Sequence, residues 1–195
     1  MSFYHLELVD TRSGQRTALL LGDRAGEEYR AAADDVQSVA SLVEVNRADV
    51  LTILVDGKRL IDNIARHNVR VDVSMTLQAL QDGGGLTSRP RVAMVLTKLD
   101  LVKASAVQAR AFRDFARIAA LVQETFGANL GEVSTFQVAA APRRSDVDRG
   151  IGVDSLIEYW MRPRLAPVAR IAKALLPDRM FARLAPGNAP SGDAL

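Results

Sequence analysis

Two polar stretches, each placed directly after an apolar run, carry the residue types in this chain that could do chemistry. Residues 23–27 (DRAGE) follow the apolar residues 19–21, and residues 97–100 (TKLD) follow the apolar residues 92–96. In a parallel α/β sheet, ligands bind outside the carboxyl ends of the strands. The two stretches are therefore the candidate functional residues, provided that each apolar run is a buried strand.

The first stretch offers groups for a metal and a phosphate. Asp23, at the end of a strand, can hold Mg²⁺ through a water, and the metal in turn bridges β- and γ-phosphates. Gly26 lets a backbone amide approach a phosphate because it has no Cβ. Glu27 follows at the position where an attacking water would be oriented. The alternative is that Asp23 is a helix N-cap and Gly26 an ordinary turn residue.

The second stretch offers groups for a purine base. The Asp100 carboxylate can accept hydrogen bonds from both N1–H and N2–H₂ of guanine, whereas adenine lacks this donor pair and would leave the carboxylate unpaired. The aliphatic stem of Lys98 can lie along the base and ribose. After the next apolar run, small residues that include Ala140 would let backbone amides reach the base oxygen. The alternative for Lys98 and Asp100 is a solvated helix cap.

The elements that must position these residues alternate between strand and helix. Alternation and a Gly-containing turn predict an antiparallel hairpin over residues 3–10 and 17–21. Apolar runs and helical periodicity then predict strands over 48–55, 91–96 and 133–139, helices over 27–46, 69–80, 104–126 and 153–161, and a helical turn over 58–65. The predicted fold is therefore α/β, a doubly wound, mostly parallel sheet with an N-terminal antiparallel hairpin.

Composition places the chain among ordinary globular proteins. It has 195 residues, 48% of them hydrophobic, a net charge of +2 and no cysteine. Nearly balanced charge argues against nucleic-acid binding, and the lack of a signal peptide or a long apolar run predicts a cytoplasmic protein without stable membrane insertion. We predict one α/β domain over residues 1–165, an amphipathic helical extension over 166–185 and a disordered tail over 186–195.

From about residue 3 to residue 161, the order and spacing of these motifs resemble the Ras-like, translation-factor-related GTPase domains of the P-loop NTPase superfamily. Residues 23–26 resemble the motif that contacts Mg²⁺ and the γ-phosphate, and residues 97–100 resemble the guanine-specificity motif. The Asp-x-x-Gly-Glu form also resembles the bacterial double-GTPase type. The resemblance implies GTP or GDP and Mg²⁺ as ligands, with Glu27 orienting water, Asp23 holding the metal, and a nucleotide bound by Asp23, Gly26, Thr97, Lys98, Asp100 and Ala140.

The chain departs from the family pattern at three points. Thr97 stands where the guanine motif usually has Asn. Glu27 replaces the usual Gln, and a carboxylate accepts a hydrogen bond from water but cannot donate one to developing charge. The third departure is that no Gly-x-x-x-x-Gly-Lys-Ser/Thr phosphate loop occurs in the 195 residues, since the glycines at 83–85 are not followed by Lys-Ser.

The resemblance places the phosphate-loop strand between the strand that ends at Asp23 and the strand that ends at Val55. Three explanations of its absence remain open: a truncated chain, a partner that completes the sheet, or direct pairing of the two flanking strands. Two functions follow. One is a guanine-nucleotide-binding GTPase-like domain with its phosphate loop missing from this chain, and the other is an inactive pseudo-GTPase that acts as a protein-interaction scaffold.

Overall fold

The computed structural model describes residues 2–11, 13–24, 26–34, 39, 41–142 and 147–163. Residues up to Arg162 form one compact unit. The predicted helical extension (166–185) and tail (186–195) lie outside the described residues. Of the helices that can be described, none combines the length and the apolar character needed to cross a bilayer.

The chain begins with an antiparallel hairpin, as predicted. Strand β1 (Ser2–Val9) pairs with β2 (Arg16–Asp23) in a register that sets Ser2 opposite Asp23. Asp10 closes the turn, because its carboxylate accepts a hydrogen bond from the Ser13 amide and its carbonyl accepts one from Gly14. Gly14 has a φ of 69°, which a glycine adopts without steric cost. Asp23 therefore ends a β-strand, as the sequence indicated.

Three parallel strands form the main sheet. They are β3 (Val50–Asp56), β4 (Arg91–Thr97) and β5 (Val133–Gln137), arranged in the order β3-β4-β5. All three apolar runs predicted as strands are confirmed, with ends shifted by up to two residues. The register sets Asp56 opposite Thr97, so the polar residues that follow β3 and β4 leave the sheet at the same level.

Seven α-helices lie in the described part of the chain: α1 (Gly26–Asp34), α2 (Val43–Arg47), α3 (Gly57–Ile61), α4 (Arg66–Asp82), α5 (Leu99–Lys103), α6 (Gln108–Phe126) and α7 (Val153–Met161). A short 3₁₀ turn, Gly127–Asn129, follows α6. The prediction over 153–161 is confirmed. The predicted helix over 69–80 is confirmed and extended at both ends.

Two helix predictions are wrong in their extent. The single helix expected over 27–46 is divided, because Leu42 has a ψ of 61° and α2 begins only after it. The helix expected over 104–126 begins at Gln108, after a separate helix α5. Val107 lies outside helical geometry, and its amide donates to the Ser105 hydroxyl, which ends the preceding turn.

Apolar side chains cover both faces of the three-stranded sheet. On one face, Val92, Met94 and Leu96 of β4 belong to a core shared with α4 and α6. On the other face, Ala93 and Val95 pack in a cluster with residues of α7. The strands advance in one direction, so right-handed crossovers place both connecting segments on the same face. Helices thus lie on both faces, and α7 packs on the second face.

The hairpin is a sheet of its own. In the part of the chain that the structure describes, no ladder joins β2 to β3, so direct pairing of these two strands is not how this chain folds. β3 is an edge strand of the main sheet, and its Leu54 is 67% exposed. In the hairpin, Leu20 is 64% exposed and Phe3 is also largely exposed. Both sheets therefore present apolar side chains to solvent.

Candidate functional site

The carboxyl end of β4 forms the centre of the candidate site. After Thr97, the backbone turns at Lys98, whose φ of 53° is left-handed, and α5 begins at Leu99. The Leu99 side chain is buried, and its amide donates to the carbonyl of Val138 beyond β5 (3.1 Å). This turn exposes Lys98 and brings Asp100 inward, into the first turn of α5.

Asp100 is the one charged residue with a buried position among the residues that the structure describes. It is only 4% exposed and has interactions within the fold. A charged group is costly to bury unless it is paired or hydrogen-bonded, so a buried carboxylate at a strand end is more unusual than a solvated helix cap. The burial of Asp100 therefore differs from the solvated position that the capping alternative assumes.

The end of β3 is tied to this turn by side chains from both strands. The Thr97 hydroxyl donates to the Val55 carbonyl (3.3 Å), and Lys98 Nζ donates to Asp56 Oδ2 (2.8 Å). The other oxygen of Asp56 accepts from the Lys58 amide (2.8 Å), which caps α3. Asp56 is thus the N-cap of α3. Its contact with Lys98, which sequence reasoning missed, follows from the equal level of the two strand ends.

The segment after β5 closes the site from the other side. The Val138 amide donates to the Leu96 carbonyl (2.8 Å), and Ala139 forms an antiparallel bridge with Ile151. The Gly150 amide lies within hydrogen-bond distance of the carbonyls of Ala139 and Ala140. Ala140 is exposed beside this turn. The structure therefore brings the predicted base-side residues from 97–100 and from Ala140 to one edge of the sheet.

The stretch 23–27 is held by a different set of contacts. Asp23 ends β2 and is exposed, Gly26 begins α1, and Glu27 is exposed in the first turn of that helix. Arg24 donates to both carboxylate oxygens of Glu44 in α2 (2.6 and 3.2 Å) and to Glu28 (2.5 Å). These contacts connect the turn after β2 to α1 and α2.

Charge pairing at this turn is mostly withdrawn from solvent. The side chains of Arg24 and Glu44 are 12% and 11% exposed. The hydrogen bond that Arg24 donates to Glu44 raises the pKa of Arg24 further above its ordinary value, so the guanidinium keeps its charge at physiological pH. Burial also raises the pKa of the neighbouring Tyr29. Sequence reasoning missed the role of Arg24, because its partner lies twenty residues away and no local pattern marks it.

The predicted metal ligand can be tested against the donor set. In the described ranges, no three or more His, Cys, Asp or Glu side chains gather into a metal-binding cluster. Mg²⁺ commonly takes one or two carboxylates and completes its coordination with water and substrate phosphates. A single exposed carboxylate, Asp23, fits that mode, and it fits no metal that needs an all-protein site.

The described residues form a mixed α/β fold with polar residues at its strand ends, and the comparison with family models supports a double-GTPase type domain. The model of the Double-GTPase 2 family matches residues 1–161, from the hairpin to the end of α7. The chain belongs to the Double-GTPase 2 family, which confirms the resemblance to a double-GTPase type. No curated protein and no solved structure matched the chain.

Proposed function

We propose that this chain binds a guanine nucleotide at the edge formed by the turns after β4 and β5. The single observation that carries the proposal is the buried carboxylate of Asp100 at the end of the central parallel strand, in a chain of a double-GTPase family. In that position the carboxylate can accept hydrogen bonds from N1–H and N2–H₂ of guanine, and adenine would leave it without these donors.

The other base-side residues have distinct roles in this proposal. The Thr97 hydroxyl donates to the Val55 carbonyl, so Thr97 stabilises the turn and does not contact the base through its side chain. The stem of Lys98 flanks the base. Ala140 contributes backbone, because its small side chain leaves room for an amide to reach the base oxygen.

The phosphate side of the proposal rests on the turn after β2. Asp23 would hold Mg²⁺, and when bound the metal offsets the negative charge of the phosphates. Gly26 leaves space for a phosphate, since a Cβ placed there meets no atom within 4 Å. Glu27 can accept a hydrogen bond from an attacking water. It cannot donate one to the transition state while it is ionised, so slow hydrolysis is expected.

A second candidate function is a protein-interaction module that keeps the fold without turnover. The observation that favours it is the pair of incomplete sheets, with exposed Leu20 on the hairpin and exposed Leu54 on the edge strand β3. An edge strand presents backbone donors and acceptors to which an extended segment of another chain can pair. A partner that adds a strand there would complete the sheet and bury these apolar side chains.

A titration separates the two functions. We expect a fluorescent GTP analogue to bind in the presence of Mg²⁺ with a micromolar Kd, an ATP analogue to bind far more weakly, and Asp100→Ala to abolish binding. Asp154→Ala is the matched control, because Asp154 also lies in the first turn of a helix but is exposed. Thermal melts of both variants verify folding, and Lys98→Ala provides a second, exposed site variant.

The outcomes are distinct. Saturable, guanine-selective binding that Asp100→Ala removes and Asp154→Ala retains supports the nucleotide site. Absence of binding by the wild-type chain at high micromolar analogue refutes it and favours the interaction module. Equal binding of the two analogues would show that Asp100 does not read the base.

A further inference from the structure

Asp56 is fixed in place by three features of the fold. It is the last residue of β3 and pairs in register with Thr97 of β4. One carboxylate oxygen accepts from the Lys58 amide, and the other accepts from Lys98 Nζ, both at 2.8 Å. The hydrogen bond from the Lys58 amide thus sets the orientation of the carboxylate, and the oxygen that does not take part in this cap is the one that accepts from Lys98.

The Asp56 carboxylate anchors a side chain that would otherwise be mobile. Lys98 is exposed, and a lysine has a long, flexible stem whose rotamer freedom is lost when it is held against a ligand. Its left-handed backbone at φ 53° directs the stem toward β3, where Asp56 holds the ammonium group. Ordering before the ligand arrives removes part of the entropic cost of binding.

We propose that Asp56 is a positioning residue of the nucleotide site, which acts by holding Lys98 in the orientation that flanks the base. This inference rests on the proposed function. Asp56 touches no base or phosphate in this role, and its effect on affinity passes entirely through Lys98. One carboxylate thus both caps α3 and orients a residue at the end of the next strand.

A double-mutant cycle tests the proposal on the full chain. Asp56→Asn keeps an oxygen that can accept from the Lys58 amide but removes the charge that attracts Lys98. Lys98→Met keeps the stem and removes the ammonium group. The Kd of a fluorescent GDP analogue is measured for the wild type, both single variants and the double variant. Asp62→Asn is the charge-matched control, because the Asp62 carboxylate also accepts from backbone amides, those of Ile64 and Ala65 in the turn between α3 and α4.

We expect Asp56→Asn to weaken binding about two- to five-fold in the wild-type background, the range of an exposed ion pair. In the Lys98→Met background the same substitution should have no effect. The difference should shrink in high salt, since exposed charges are screened. Asp62→Asn should bind as the wild type does, and thermal melts should show that Asp56→Asn is folded.

Two results would overturn the proposal and differ from each other. An equal effect of Asp56→Asn in both backgrounds, or none in either, shows that Asp56 does not act through Lys98 while the nucleotide site itself stands. Absence of binding by the wild-type chain refutes the proposed function and the role of Asp56 with it.

Discussion

Gly57 is the point where β3 passes into α3, and its replacement by alanine should destabilise the chain measurably. A Cβ built on Gly57 would overlap the carbonyl oxygen of Thr97 and lie 2.6 Å from Val102 Cγ2. The carbonyl belongs to the backbone at the end of β4, so no side-chain rotation can relieve the overlap. The ends of β3 and β4 would have to separate, which also strains the hydrogen bond from Thr97 to Val55.

The size of the effect follows from two opposing terms. Overpacking of a filled interior costs about 1–3 kcal/mol. Alanine in place of glycine within a helix regains about 1 kcal/mol at most. Because the overlap is with backbone, the cost lies in the upper part of this range, about 2–3 kcal/mol. Less about 1 kcal/mol, the free energy of unfolding should fall by about 1–2 kcal/mol, which for a chain of this size lowers Tm by about 2–8 °C.

Thermal and urea unfolding followed by circular dichroism would measure this change without ligand. Gly26→Ala is the matched control, because Gly26 begins α1 and a Cβ there meets nothing within 4 Å. That variant should be as stable as the wild type or slightly more stable. A Tm of Gly57→Ala equal to that of the wild type or of Gly26→Ala would show that the close approach of the two strand ends is easily relaxed.

Two further predictions concern other buried polar contacts. In a double-mutant cycle with Arg24→Met and Glu44→Gln, the coupling free energy from urea unfolding should be about 1–3 kcal/mol, because the ion pair is largely withdrawn from water. Burial raises the pKa of Tyr159 above its ordinary value, so its neutral form is favoured in the folded state. The stability contributed by that preference is present below the ordinary pKa of about 10 and is lost as pH rises through the raised value. Tyr159→Phe should therefore be less sensitive to alkaline unfolding than the wild type.

Clear results would contradict each of these expectations. Additive effects of the two substitutions at Arg24 and Glu44 would mean that the pair does not hold the turn after β2. For Tyr159, the phenol oxygen lies 3.0 Å from the Glu132 carbonyl and 3.2 Å from the Val92 carbonyl, so Tyr159→Phe should also cost about 1 kcal/mol at neutral pH. Identical pH profiles for wild type and variant would show that the phenol does not ionise in the alkaline transition.

The strands and the core stripe of α6 could be predicted from sequence because each depends on a local pattern. A strand buried on both faces needs an unbroken apolar run, and β4 has one from Val92 to Leu96. In α6, the apolar side chains of Ala111, Phe115 and Ile118 recur at helical spacing, and all three are buried. These patterns repeat within a few residues, so the sequence alone carries the information.

The divided helix after residue 26 could not be predicted in the same way, because its cause lies elsewhere in the chain. Helical periodicity continues across Val39 and Leu42, yet both are buried against other elements. A Cβ on Gly83 would lie 2.5 Å from Val39 Cβ, so the glycines at the end of α4 make room for this segment. Tertiary packing over forty residues of sequence overrides the local pattern.

In the candidate site, too, the residues marked by a local pattern could be predicted from sequence, and those that depend on distant contacts could not. Asp23 and Asp100 can be found from the sequence because each lies in a short polar stretch that follows an apolar run. The partners that fix their turns, Glu44 for Arg24 and Asp56 for Lys98, lie 20 and 42 residues away along the chain. Local sequence patterns therefore mark candidate residues at the strand ends, whereas the residues that fix their turns are distant in sequence and carry no such mark.

The two turns of the proposed site, one with Asp100 and one with Asp23, are held by contacts with different elements. The turn that bears Asp100 is held by β3 through Thr97 and by the segment after β5 through Leu99. The turn that bears Asp23 belongs to a separate hairpin and is held by α2. In the proposed site, selection of guanine over adenine would therefore depend on contacts within the three-stranded sheet. A carboxylate that reads the base accepts hydrogen bonds from guanine N1–H and N2–H₂ and does not contact the phosphates. Guanine selectivity should therefore persist for ligands that lack the γ-phosphate. The Mg²⁺ dependence of binding should instead be lost when substitutions disrupt the turn that bears Asp23.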